Sequence, residues 1–100
     1  MLESNVPTSR DEFAYLPPYL APRTATERKL VEIWQNALAI DRIGISDSYE
    51  DLGGSSLVAA AIFAEILKVF DVQLEMMVLV EAPTVEELAR RIDELRGSTG

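Results

Sequence analysis

The chain has 100 residues, 48% hydrophobic and 26% charged, which suits one domain with a modest core and lies outside the range of disordered chains. Nine Lys+Arg against 17 Asp+Glu give a formal charge of −8, which disfavours nucleic acid and anionic lipid as partners and favours a positively charged protein. With no Cys and no His, disulfides, thiolate metal sites and the ordinary serine triad are excluded, and a reducing, cytoplasmic setting fits.

No apolar run reaches membrane-spanning length. The first residues, MLESNVPTSRDEF, have neither the basic start nor the apolar core of a signal peptide. Residues 1–22 read as an extended N-terminal arm, because Pro7, Pro17, Pro18 and Pro22 block helix interiors. Phe13, Tyr15, Leu16, Tyr19 and Leu20 are apolar enough to strap this arm onto a folded body. That body is expected over 23–96, with a short polar tail at 97–100.

Its first helix starts at Thr24, with Glu27 three residues on as a capping box requires. Leu30, Ile33, Trp34, Ala37 and Leu38 recur at helical spacing, and Glu27, Arg28, Lys29, Glu32 and Gln35 fall on the opposite, polar face. Residues 39–54 form a long loop pinned by Ile40, Ile43, Ile45, Tyr49 and Leu52; a loop of this length is usually functional or disordered, and the pins argue for order. The second helix runs from about Ser56 to Phe70, started by either Ser55 or Ser56. It is apolar on nearly all sides, so part of Val58, Ala61, Ile62, Glu65 and Val69 is expected at the surface, ready for a partner.

A short helical turn follows near Met77 to Glu81. Met76 and Met77 read either as plastic core or as partner surface, core being preferred. Thr84 caps the last helix, with Glu87 three residues on; Val85, Leu88, Ala89, Ile92 and Leu95 form its stripe and Gly97 ends it. The expected fold class is all-α: three main helices, one short helix and a long first loop.

The unusual local feature is Asp51-Leu52-Gly53-Gly54-Ser55-Ser56-Leu57. Two glycines allow a tight turn, and a serine hydroxyl then stands at a helix mouth, where free amides and the helix dipole suit a phosphate. Local physics alone favours a plain loop and helix cap without chemistry.

The run from Asp47 to Leu57 resembles the core motif of phosphopantetheine carrier domains, especially the peptidyl carriers of nonribosomal peptide synthetases. Ala21-Pro22-Arg23-Thr24, with Glu27 and Ile33-Trp34, resembles the lead into their first helix; Glu81-Ala82-Pro83-Thr84-Val85, with Leu88-Ala89, resembles the entry to their last. The resemblance covers about residues 19–96 and implies a four-helix carrier bundle. It also implies Ser56, before Leu57, as the attachment point of 4′-phosphopantetheine derived from coenzyme A. Ser55 fills the variable position where fatty-acid carriers usually have Asp, which favours the peptidyl class.

Asp51, Leu52, Gly53, Gly54, Ser55 and Leu57 would present Ser56, and Val58, Ala61, Ile62 and Glu65 would dock partners. The implied partners are a phosphopantetheinyl transferase using coenzyme A and magnesium, an adenylating or acyl-activating enzyme, and downstream acyl-transfer, condensation or tailoring enzymes. The carrier would hold an acyl or aminoacyl thioester and have no catalytic residue and no metal site of its own. Met1 and the short tails suggest a free-standing chain, but a domain excised from a synthetase would look much the same; a monomer is expected.

Two rival readings are open. A serine esterase would need a second glycine after the serine, which Gly54-Ser55-Ser56-Leu57-Val58 lacks, and no spacing supports a Ser–Lys pair with Lys29 or Lys68. The alternative is a non-catalytic helical interaction module without a prosthetic group.

Overall fold

A computed structural model describes residues 7–97. It contains four α-helices: α1 Ala25–Leu38, α2 Ser56–Phe70, α3 Val78–Glu81 and α4 Val85–Leu95. A 3-10 turn, Arg10–Glu12, precedes them. Isolated bridges, Thr8 with Ile40 and Ser48 with Thr84, stand in place of strands among the described residues.

The capping signals form as expected. Thr24 Oγ1 accepts the Glu27 N–H at 3.1 Å, and a Glu27 carboxylate oxygen accepts the Thr24 N–H at 3.3 Å, a complete capping box. Thr84 Oγ1 accepts the Glu87 N–H at 3.2 Å and starts α4. Gly97, with φ +65°, lies just past the end of α4, where a left-handed residue closes a helix. α1 packs against both α2 and α4. The core is built from Leu30, Ile33 and Trp34 of α1, Ala59, Ile62, Ile66 and Phe70 of α2, and Val85, Leu88 and Ile92 of α4. The loop pins Ile40, Ile43, Ile45, Tyr49 and Leu52 are all buried with them, which holds the long loop in one conformation.

Several expectations are corrected. Ile62 is not a surface residue: it is 1% exposed, because the buried stripe of α2 runs Ala59, Ile62, Ile66, Phe70 at helical spacing. Met76 and Met77 are exposed rather than core. Leu95 stands at the surface on the last turn of α4.

Glu27 is buried instead of facing solvent, held by the backbone N–H groups of Arg23 and Thr24 and by the Arg23 guanidinium, whose Nη2 donates at 2.8 Å. These donors, the guanidinium foremost, pull the Glu27 carboxyl below the usual carboxylate range against the opposing effect of burial. A carboxyl more acidic in the folded than in the unfolded chain stabilises the fold above the ordinary carboxylate range and loses that contribution as pH falls through its lowered value. Glu27→Gln should therefore lower stability at pH 7 and leave an acid unfolding curve that declines less steeply below pH ~4, as followed by helical ellipticity.

The described part of the N-terminal segment, from Pro7 on, lies along the loop; residues 1–6 of the expected arm and 98–100 of the expected tail lie outside the described residues. Thr8 donates its N–H to the Ala39 carbonyl at 2.7 Å, and the Ile45 N–H donates to the Leu20 carbonyl at 3.0 Å. Arg10 makes a two-pronged contact with Asp47: Nε to Oδ2 at 3.1 Å and Nη2 to Oδ1 at 2.8 Å. The Tyr19 ring lies under two guanidinium groups, Arg10 at 5.3 Å and Arg42 at 4.3 Å. Phe13 and Leu16 pack against the core, whereas Tyr15 is exposed.

Candidate functional site

Ser56 is the first residue of α2, and Ser55 is its cap. Ser55 Oγ accepts the Val58 N–H at 3.2 Å, so its hydroxyl is engaged in holding the helix start. The Ser56 side chain is exposed and has no hydrogen-bond partner among the described residues. The 15-residue helix behind it directs its positive end at this point.

The preceding turn explains the two glycines. The Leu52 N–H donates to the Ser48 carbonyl at 3.1 Å and the Gly53 N–H to the Glu50 carbonyl at 3.0 Å, winding the chain into a turn that Gly53 closes at φ +80°. Leu52 is buried and anchors this turn, while Asp51 faces solvent. Gly54 is required for a different reason: a Cβ there would lie 2.2 Å from the Tyr49 ring.

Tyr49 ties these parts together. Its N–H donates to the Pro83 carbonyl at 2.8 Å, at the entry to α4, and its carbonyl accepts the Gly54 N–H at 3.0 Å. Its ring meets Trp34 edge-on, with centroids 5.4 Å apart. Its hydroxyl donates to the Ser55 carbonyl at 2.7 Å. Burial pushes the Tyr49 phenol up, so it is a donor at neutral pH. In the sequence Tyr49 reads only as an apolar pin; the signal for more is a hydroxylated aromatic placed a short turn before the Gly-Gly pair.

Beside Ser56 lies a groove of ≈ 560 Å³, lined among others by Tyr49, Gly54, Ala59, Met76, Leu79 and Val80. Leu57, 82% exposed, stands at the helix mouth, and Val80 is 74% exposed. The expected docking residues divide. Val58 is half-buried beside the core, Ile62 is inside it, and Ala61 and Glu65 line a separate groove against α1 with Ile33 and Ala37. At 100° per residue, positions 61 and 65 lie well around α2 from position 56.

An exposed hydroxyl at a helix mouth, beside an apolar groove, fits a phosphodiester-linked arm. The residues can present such a group. Among the described residues no three acidic side chains converge to hold a metal. No helix among the described residues is long and apolar enough to cross a membrane.

The family model described as phosphopantetheine attachment site matches residues 28–92. The chain belongs to that family. This carrier domain is 42% identical over 89 residues to gramicidin S synthase 2 of Brevibacillus brevis, covering 89% of the domain and 2% of the synthase. It is 47% identical over 72 residues to tyrocidine synthase 3 of Brevibacillus parabrevis, covering 72% and 1%. The chain thus spans a few hundredths of the length of the curated relatives it matches.

Among solved structures, an active-site mutant of a peptidyl carrier protein superposes with a TM-score of 0.76 at 36% identity, covering 80% of the domain and 89% of that chain. A peptidyl carrier protein in a complex of the phosphopantetheine transferase Sfp with coenzyme A superposes at 0.74 and 38% identity, covering 76% and 99%. The domain is accordingly an all-α carrier of the peptidyl type, a bearer of covalently attached 4′-phosphopantetheine, and a tethering module without catalysis of its own.

Proposed function

We propose that Ser56 is the attachment point, and that the domain holds an acyl or aminoacyl group there for the enzymes of a peptide-assembling pathway. The observation that carries this is the division of labour between the paired serines: Ser55 Oγ is committed to the helix cap, and Ser56 Oγ is exposed at the helix mouth. Attachment forms a bond from Ser56 Oγ to the β-phosphorus of coenzyme A and breaks the pyrophosphate link, releasing adenosine 3′,5′-bisphosphate; the hydroxyl proton passes to the transferase. When attached, the arm supplies a thiol that carries cargo as a thioester. Tethering raises the effective concentration of that cargo at each partner.

The proposed partners are a phosphopantetheinyl transferase, an adenylating enzyme and downstream acyl-transfer or condensation enzymes. The complex of a carrier with Sfp and coenzyme A, and an adenylation–carrier structure holding phenylalanyl-adenylate, support the first two by analogy. We assign docking to the exposed apolar rim around Ser56, centred on Leu57, Met76 and Val80, in place of the α1-facing side of α2. Val80→Glu should slow arm attachment at unchanged helical content; equal rates would exclude this rim. A cytoplasmic location belongs to the same reading and is checked by cell fractionation.

The decisive experiment is incubation with coenzyme A, magnesium and a broad-specificity transferase, followed by intact mass and peptide fragmentation. One added phosphopantetheine mapped to Ser56 is the expected result. No mass gain on a folded sample would favour the interaction-module reading.

A further inference from the structure

Resting on the assignment of the arm to Ser56, we infer that Tyr49 is a positioning residue for attachment: its hydroxyl fixes the Ser55–Ser56 peptide plane and thereby aims the acceptor out of the helix mouth. The Ser55 carbonyl has two acceptor positions, and both are filled. One takes the Ala59 N–H at 2.9 Å, the first bond of α2; the other takes the Tyr49 hydroxyl at 2.7 Å.

That carbonyl shares a rigid plane with the Ser56 N–H. Holding the oxygen from two directions therefore fixes the direction of the Ser56 amide and the start of the Ser56 side chain. A helix start held only by its own cap frays, because its first amides have no internal partners.

Tyr49 is itself immobilised. Its backbone is held by Pro83 and Gly54, its ring by Trp34 on one edge and by the Gly54 backbone, close enough that no side chain fits between them. The hydroxyl is thus a fixed reference point linking the α4 entry, the α1 core and the start of α2. Phe in its place would keep the ring packing and lose only this tie. In attachment, where a 1 Å misplacement costs about a hundredfold, a loosened acceptor should react on the order of tenfold more slowly.

The test compares Tyr49→Phe with the parent in two measurements. In steady-state attachment with a transferase and coenzyme A, kcat should fall on the order of tenfold while KM for the carrier is unchanged, since the docking rim is untouched. In amide NMR of the arm-free protein, the Ser56 cross-peak should be sharp in the parent and exchange-broadened in Tyr49→Phe, with the core amides unshifted. An unchanged kcat and a sharp Ser56 peak in the variant would overturn the inference, as would a rise in KM alone, which would make the hydroxyl a docking contact. The NMR measurement requires no arm. A parent that maps its arm elsewhere would therefore refute the Ser56 assignment, while the Ser56 peak would still decide whether Tyr49 fixes that plane.

Discussion

Ser56→Ala should take up no arm under conditions in which the parent is fully converted, and Ser55→Ala should still be modified. The two hydroxyls are one residue apart, but they differ in what they are bonded to. Ser55 Oγ holds the Val58 N–H, and the residue has the extended backbone of a cap, φ −119° and ψ 170°. Attaching the phosphopantetheine arm to it would place a bulky group on the oxygen that starts the helix. Ser56 Oγ stands outside that network, on a residue with helical geometry and the whole of α2 behind it.

The variants should also differ in stability, in the opposite sense. Loss of the Ser55 cap costs about 1 kcal/mol, a fall in Tm of roughly 4–8 °C for a domain of this size; Ser56→Ala leaves the cap intact and should melt close to the parent. Intact mass and a thermal melt on both variants check the assignment. Arm uptake by Ser56→Ala together with its loss in a folded Ser55→Ala would reverse it.

What the sequence makes legible is what lies close together along the chain. Thr24 with Glu27 and Thr84 with Glu87 announce helix starts because a cap and its partner are three residues apart, and the stripes of α1 and α4 follow from a period of 3.6. α2 is legible in extent and opaque in orientation. Nearly every position on it is apolar, so no periodic contrast says which side is buried, and Ile62 cannot be told from Ala61 without knowing where α1 lies.

Met76 and Met77 are both exposed on a short turn, and Met76 lines the groove beside Ser56, where an apolar surface serves docking in the proposed reading. The buried Glu27 and Asp47 are harder still. A charged residue reads as surface unless its counter-charge is known. The partner of Glu27 is four residues away, but that of Asp47 is Arg10, 37 residues earlier in a proline-rich arm without helical pattern. For the same reason the wiring of Tyr49 is invisible in sequence: its contacts with Trp34 and Pro83 close only when the helices have packed.

That Arg10–Asp47 pair carries the second large effect. Arg10→Ala should destabilise the fold by about 3 kcal/mol, the lower end for breaking a buried ion pair because the Arg10 side chain keeps a little solvent contact. Asp47 is fully buried, and its Oδ2 also accepts the Gly44 N–H at 2.8 Å, so the carboxylate cannot turn outward without orphaning a backbone donor. Hydrogen bonding to Asp47 likewise holds the Arg10 guanidinium in its charged form, above its ordinary range.

Because the penalty comes from a stranded charge, it should be relieved by removing the charge rather than by restoring contact. Adding Asp47→Asn to Arg10→Ala should recover part of the lost stability, since the amide oxygen still accepts from Gly44 while no buried charge is left. Urea unfolding of the parent, both single variants and the double variant measures this coupling. A double variant no more stable than Arg10→Ala would mean that the arm stabilises the domain by covering Ile40 and Ile45 and not through the ion pair. A recovery would make Asp47, two residues before Tyr49, the point at which the arm is clamped to the loop that presents Ser56.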